Sequence, residues 1–482
     1  MAGHSAALDR YNAADDLIGR NLEAGRGDKP AFVDADGAMT YAELDRAANR
    51  FANLLRAEGV RMEERVLLCM LDTTAWPVCF LGAIRAGAVP IPVNTRLTAG
   101  DYAFMLEDSR ARMLVVSEPL MPAFADHLDG HDALKTVLVD GADGGGHPLL
   151  SNALAAQSDT FETAPTRAGD MCFWLYTSGT TGKPKGAVHL QTHLIETANL
   201  YAIPTLGISS EDVCFSAAKL FFAYGLGNGL TFPMAVGATT FLHAGPPDPE
   251  SVCDILKTRR PTIFYGVPTL YGMLLASGKL PGPGEHSVRI ATSAGEALPA
   301  ELLRRFKKTT GIDILDGLGS TEMLHIFLSN RVDDITPGAS GRPVAGLRST
   351  PRRRRRTGDR GRRRDGHAGG LRPDRGRHVL EPARQEHRDL PGSLDAYGRQ
   401  ICPRRERCLR PCRPLRRHVE GRRHLRLAGR GGGRHRPPRE GAGGRGRRAC
   451  RRGRSHQAQG LRRARRGGRR PPTISPTRSR PS

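Results

Sequence analysis

The residues best placed to do chemistry form one short stretch, Thr177, Ser178, Gly179, Thr180, Thr181, Gly182, Lys183, Pro184, Lys185 and Gly186, directly after the apolar run DMCFWLY. Glycines let backbone N–H groups approach an anion closely, hydroxyls add donors and lysines supply charge, so this composition suits a triphosphate. It is not a Walker A loop, because Pro184 stands where the Gly-Lys-Ser/Thr ending would need a hydroxyl residue. A flexible surface loop is the competing reading of the stretch taken alone. Three further segments mix small residues with a few polar ones: YGVPTL (265–270), TSAGEALP (292–299) and DGLGSTEMLHIF (316–327). Each is expected to follow a strand.

The elements that must hold these loops are legible upstream. In AMTYAELDRAANRFANLLRAEGV, Thr40 can cap a helix with Glu43 three residues on. Leu44, Ala47, Ala48, Phe51, Leu54 and Leu55 then recur at helical spacing before Gly59 stops it. RVLLCML reads as a buried strand, TAWPVCFLGAIRAG as a helix and AVPIPV as a strand, with similar alternations at ARMLVVS, KTVLVD, TIFYGVPTLYGMLLAS and VRIATSAGEALPAELLRRF. DMCFWLY reads as another buried strand. This rhythm predicts a large α/β architecture with parallel sheets, whose ligands gather beyond the C-terminal ends of the strands.

Taken together and in this order, the four loops resemble the adenylate-forming superfamily of acyl-CoA ligases, luciferases and peptide-synthetase adenylation domains, over essentially all of residues 10–346. The resemblance implies that residues 177–185 close over the β- and γ-phosphates of ATP. It places Gly295, Glu296 and Ala297 along the adenine, with Asp316 and Gly317 on the other side of the nucleotide. Thr321 would bond the α-phosphate, and Glu322 would hold Mg2+ between phosphate oxygens. A helix-start carboxylate favoured by the dipole is the alternative for Glu322. KLFFAYGLGNGLTFP and LGSTEMLHIFLSNR, with YNAADDLIGRNLEAGRGDKPAF near the start, are similar to the benzoate and hydroxybenzoate CoA ligases. That match implies an acid pocket lined by Ala223, Tyr224, Gly319, His325 and Ile326. Small residues leave a flat slot, Tyr224 and Ile326 give apolar walls, and His325 offers one polar contact or is a satisfied structural histidine. Benzoate is the first expectation over 4-hydroxybenzoate, because no polar partner for a ring hydroxyl stands out. The implied cosubstrates are ATP and CoA. In this superfamily a small C-terminal domain supplies a lysine for adenylate formation and then rotates to admit CoA.

The sequence breaks where that domain should begin. Residues 1–346 carry 29 Lys+Arg against 39 Asp+Glu, whereas residues 347–482 carry 44 Arg, no Lys, 10 Asp+Glu and a single aromatic, Tyr397. The whole-chain charge of +24 therefore comes from the tail. A segment so rich in Arg, Gly and Pro cannot bury enough apolar surface to offset the entropy of folding, so 347–482 is expected to be a disordered tail and 1–346 the adenylation domain. Non-specific nucleic-acid binding through phosphate charge is one reading of the tail. The spacing of Cys402, Cys408 and Cys412 fits no common zinc pattern.

A shifted reading frame explains more. Codons allowed for GLRSTPRR, with the first nucleotide dropped, regroup as GYEVRLV. By the same offset LDAYGRQICPR gives WTRTGDKYVR, and CRPLRRHVEGRRHLRLAGRGG gives AGRSDDMLKVGGIYVSPVEV, which resemble the superfamily's hinge and C-terminal signatures in order. One extra nucleotide near the Gly346 codon accounts for all three. RTGDR (356–360) is then a decoy for the ribose-binding aspartate. Lys308 is the last lysine, so the C-terminal catalytic lysine is absent. The expected function is an AMP-forming aryl-CoA ligase, impaired in this chain. The alternative is a catalytically dead domain that binds ATP and an aromatic acid, with a basic tail.

No stretch reads as a membrane span or an export signal. The most apolar one, RVLLCMLDTTAWPVCFLGAI, is interrupted by Asp72 and two threonines. Cys69, Cys79, Cys172, Cys214 and Cys253 sit singly in apolar contexts, which predicts reduced thiols and a cytoplasmic protein.

Overall fold

The computed structural model describes residues 10–177, 183–351 and 378–382. Its largest sheet has nine strands in the spatial order Arg342–Pro343, Ile326–Ser329, Ile314–Gly319, Ile290–Ser293, Ile263–Gly266, Val213–Ser216, Thr239–Phe241, Pro30–Val33 and Ala38–Thr40. The six central strands are parallel, and the strands beyond them at each edge run antiparallel. A second sheet, wholly parallel, runs Val89–Pro92, Arg65–Cys69, Met113–Ser117, Thr136–Asp140. The described residues belong to one compact unit, as the α/β expectation requires.

Local chemistry explains the helices that pack on these sheets. Thr40 Oγ1 accepts from the Glu43 N–H while the Glu43 carboxylate accepts from the Thr40 N–H, and this reciprocal cap starts the helix Tyr41–Ala57. Leu44, Ala48, Phe51, Leu54 and Leu55 are buried as their spacing predicts, and Ala47 is only partly covered. The facing helix Ala75–Arg85 passes so close that a Cβ on Gly82 would stand 2.7 Å from the Ala48 carbonyl oxygen. Arg85, at its end, is buried with Asp45 at 2.7 Å and Asn49 Oδ1 at 2.6 Å. All five expected thiols are free and buried.

The run DMCFWLY is a strand, Met171–Thr177, but not a member of a parallel sheet. It pairs antiparallel with Lys185–Leu190. Cys172, Phe173 and Leu175 join the main core, whereas Trp174 and Tyr176 pack on the core of the four-stranded sheet. Wedged between two cores, the strand is apolar on both faces, which is why its sequence shows no alternation.

Past Gly346, Leu347–Pro351 pairs antiparallel with His378–Pro382, an element that the expectation of an unfolded tail did not include. The rest of 347–482, Cys402, Cys408 and Cys412 among it, lies outside the described residues. Among the described residues no helix is long and apolar enough to cross a membrane.

Candidate active site

One hairpin carries seven of the residues singled out in the sequence. Asp316, Gly317 and Gly319 lie on Ile314–Gly319, Thr321 and Glu322 in the connection, and His325 and Ile326 on the returning chain, with Gly317 opposite Ser329 and Gly319 opposite Ile326. Both glycines are demanded by this return. A Cβ on Gly317 would stand 2.9 Å from Ile326 Cδ1, and one on Gly319 would stand 2.7 Å from the His325 carbonyl oxygen. Thr321 is half-buried and Glu322 exposed at the tip.

Asp316 is buried at the root of the hairpin. Its backbone carbonyl accepts from both the N–H and the side-chain amide of Asn330, each at 3.0 Å. Ser340 Oγ donates to Oδ2 at 3.4 Å, while Oδ1 has no partner. Burial pushes the Asp316 carboxyl up to about 6. Ser293 pairs in register with Asp316, so the turn after Ile290–Ser293 lies beside it. That turn holds Gly295, at φ +91, with Glu296 and Ala297, all exposed, and Thr269 Oγ1 donates to the Glu296 carboxylate at 2.8 Å. Only glycine adopts such a backbone without strain.

The residues expected to line an acid pocket lie around His325. The helix Ala223–Leu226 opens into a wider turn of π-helical form, Gly227–Thr231. His325 Nε2 lies 3.1 Å from Asn228 Oδ1 and 3.3 Å from the Tyr224 carbonyl oxygen. The carbonyl can only accept, so Nε2 carries the proton and Nδ1, which has no partner, is left as a bare acceptor. Rings of Tyr201, Tyr224 and Phe232 surround the imidazole at centroid distances of 5.3, 5.4 and 4.4 Å. Burial holds its pKa down to about 3, so it stays neutral. Space for the ring exists only because residue 227 is glycine, whose Cβ would stand 2.3 Å from His325 Cδ2. Tyr224, half-buried, exchanges a hydrogen bond with Thr292 Oγ1 at 2.6 Å. His325 is thus a packed histidine, satisfied at Nε2 and without a partner at Nδ1. Ala223 and Ile326 are buried beside it.

On the phosphate side, Ser178, Gly179, Thr180, Thr181 and Gly182 lie outside the described residues. Thr177 Oγ1 donates to the Lys185 carbonyl at 3.4 Å across the hairpin mouth, Lys185 is exposed, and Lys183 rests over the Phe104 ring at 5.3 Å. Lys183 is therefore parked on an aromatic face of the helix Ala99–Ser109.

Two histidines missed in the sequence tie this hairpin to the Thr321–Glu322 turn. His189 is stacked on Phe173 and lies against the backbone of Thr321. Its Nδ1 is 3.3 Å from His193 Nδ1, which already accepts the Leu190 N–H, so His189 Nδ1 is the donor. Burial lowers the two pKa values to about 3 and about 4. The i,i+4 spacing in HLQTH was the available signal. Among the described residues no group of three or more His, Cys, Asp or Glu could hold a metal unaided. A single exposed carboxylate, Glu322, suits Mg2+ shared with phosphate oxygens.

Comparison with known proteins gives a consistent result. The sequence pattern described as AMP-binding enzyme matches residues 20–350. The chain is similar to a benzoate–CoA ligase of Thauera aromatica, at 56% identity over 341 residues, covering 70% of this chain and 64% of the relative. A 4-hydroxybenzoate–CoA/benzoate–CoA ligase of Rhodopseudomonas palustris is 41% identical over 362 residues, 73% of this chain and 65% of the relative. Among solved structures, a benzoate CoA ligase from Burkholderia xenovorans LB400 superposes with a TM-score of 0.69 at 45% identity, covering 77% of this chain and 71% of that one. An anthranilate CoA ligase in complex with anthranoyl-AMP gives 0.68 at 37%, covering 71% and 66%. The chain spans 64 to 65% of the length of these two curated relatives.

Proposed function

The chain belongs to the AMP-binding enzyme family, and from that premise we propose that residues 1–346 form the adenylation domain of an aryl-CoA ligase that takes benzoate, ATP and CoA. The observation that carries this reading is the single hairpin on which Asp316, Gly317, Thr321 and Glu322 precede His325 and Ile326, so that nucleotide and acid residues share one rigid support.

In the first step a carboxylate oxygen of the acid attacks the α-phosphorus of ATP, the bond to the β-phosphate breaks, and pyrophosphate leaves with an acyl adenylate behind. In the second, the CoA thiolate attacks the acyl carbon and AMP departs. Residues 177–185 bind the β- and γ-phosphates, Lys183 swinging off Phe104 to do so, and Gly295, Glu296 and Ala297 line the adenine opposite Asp316 and Gly317. Thr321 orients the α-phosphate. Bound Mg2+, held by Glu322, would neutralise phosphate charge. Ala223, Tyr224, Gly319, His325 and Ile326 bound the slot for the ring, shape and apolar walls selecting a flat acid. This is positioning and charge stabilisation throughout.

The tail sequence supplies no lysine beyond Lys308, and the ribose-gripping aspartate has no counterpart there. The chain as it stands binds ATP and benzoate but turns over poorly, and the extra nucleotide near the Gly346 codon is the proposed cause. Incubating the 482-residue chain with ATP, Mg2+, benzoate and CoA, and following pyrophosphate and benzoyl-CoA by mass spectrometry, tests both parts. Binding of ATP and benzoate with only trace product is expected. Rapid benzoyl-CoA formation overturns the impairment, and binding of neither ligand overturns the ligase reading. Salt-sensitive binding to nucleic acid without any turnover would favour the alternative, a catalytically dead domain that binds ATP and an aromatic acid and carries a basic tail.

A further inference from the structure

The wall of the acid slot is anchored by residues outside it. Lys219 and Leu220 stand just upstream of Ala223 and Tyr224, and each is held from a different sheet. The Leu220 N–H donates to both carboxylate oxygens of Asp72, 3.3 Å each, and Asp72 follows the strand Arg65–Cys69 of the four-stranded sheet. Lys219 Nζ donates to the carbonyls of His243 and, at 2.7 Å, Gly245, which follow the strand Thr239–Phe241 of the nine-stranded sheet.

Little slack separates this anchor from the slot. The Phe222 N–H closes a turn onto the Lys219 carbonyl at 3.0 Å, and the Leu226 N–H continues the helix onto Phe222 at 2.8 Å. A Cβ on Gly225 would stand 2.0 Å from the Lys219 carbonyl oxygen and 2.5 Å from that of Ala218, so loop and helix are already in contact. A shift of Leu220 therefore passes to Ala223 and Tyr224. Tyr224 in turn is bonded to Thr292 and supplies the carbonyl facing His325.

Asp72 is only 4% exposed, and the Lys219 ammonium is the charge that faces it, with Arg96 and His243 acting on Lys219. A buried carboxylate with a single backbone donor lowers stability relative to an apolar residue. Its place there needs another account. We propose that Asp72 is a positioning residue for aromatic-acid recognition, holding the Leu220 N–H so that the helix Ala223–Leu226 starts at the depth a planar ring requires. The proposal rests on the aryl-ligase reading of the slot. It makes the interface between the two sheets part of substrate selection.

The test is calorimetric titration of the full chain with benzoate and, separately, with ATP. Asp72→Ala removes the acceptor and should weaken benzoate by about tenfold or more while leaving ATP within about twofold. Asp72→Asn keeps one acceptor oxygen without the buried charge and should restore benzoate to within about threefold of the parent. Parent-like benzoate binding by Asp72→Ala, equal losses for both ligands, or failure of Asp72→Asn to rescue overturns the proposal. Should Asp72→Ala not fold, Lys219→Met decides, since removing the opposite half of the anchor must give the same selective loss. A parent chain that binds ATP but no benzoate overturns the slot's assignment itself, a result distinguishable because no variant is needed to see it.

Discussion

The two halves of the site are built on opposite principles. The acid side is interior: His325 and Ile326 are 3% and 4% exposed, and Gly227 and Gly319 each leave room for a specific neighbour. The nucleotide side is mostly surface, with Lys185, Gly295, Glu296, Ala297 and Glu322 exposed and Lys183 parked on a ring, while Asp316 and Gly317 are buried at the hairpin's root. If the proposed assignment holds, ring selectivity rests on core packing, whereas phosphate binding is carried by side chains the fold does not depend on. Changes on the acid side should therefore act on stability and ligand together, and changes on the nucleotide side on ligand alone.

Acid should strike the buried histidines hardest. Burial lowers His189 and His325 to about 3 and His193 to about 4, from an ordinary value of 6.5. The unfolded chain binds protons on these rings below 6.5 and the folded chain does not, so their contribution is fully present above 6.5 and is lost as pH falls toward 4. Asp72 and Asp316 act oppositely, because carboxyls raised to about 6 lower stability as pH rises from 3.8 to 6. The histidine shifts are larger and more numerous, so net stability should rise between pH 4 and 6.5, on the order of several kcal/mol. Urea midpoints across that range check the sign. A flat profile would mean that the imidazoles are hydrated and the interior account is wrong.

Gly227→Ala comes next in size. Its Cβ would meet His325 Cδ2 at 2.3 Å, Nε2 at 2.7 Å and Phe232 Cζ at 2.9 Å. Displacing two packed rings should lower stability by about 2–3 kcal/mol and weaken benzoate, with ATP affinity of the folded fraction unchanged. Equal loss of ATP affinity would show that the halves are not separable.

The sequence disclosed these halves unequally, for physical reasons. Local rules sufficed for the Thr40–Glu43 cap and for the strands, whose periods are set by neighbours in the chain. Every named site residue of the Asp316–Ile326 segment falls on one hairpin, because a hairpin is itself local. What escaped depends on distant partners: Asp72 on Leu220, Asn228 on His325, and His189 on Thr321. The pairing of Met171–Thr177 escaped too, since a strand covered on both faces carries the same apolar run whether its partner is parallel or antiparallel.

The smallest expected effect is also the sharpest probe of the nucleotide half. Lys183 contacts the Phe104 ring at 5.3 Å across the mouth of the phosphate loop, a cation–π contact worth about 0.5–1 kcal/mol at an exposed site. Lys183→Met keeps an unbranched apolar stem on the ring and discards the charge, so stability should fall by no more than about 0.5 kcal/mol. If the ammonium leaves the ring to meet phosphate, ATP should bind about tenfold more weakly to the variant, and AMP, which lacks the β- and γ-phosphates, should bind as before. Titrations with ATP and AMP separate the cases. Unchanged ATP affinity would make Lys183 a surface residue resting on the helix Ala99–Ser109 and leave Lys185 as the loop's one described cation for phosphate; a loss for both nucleotides would mean that the lysine shapes the loop instead of reading its phosphates.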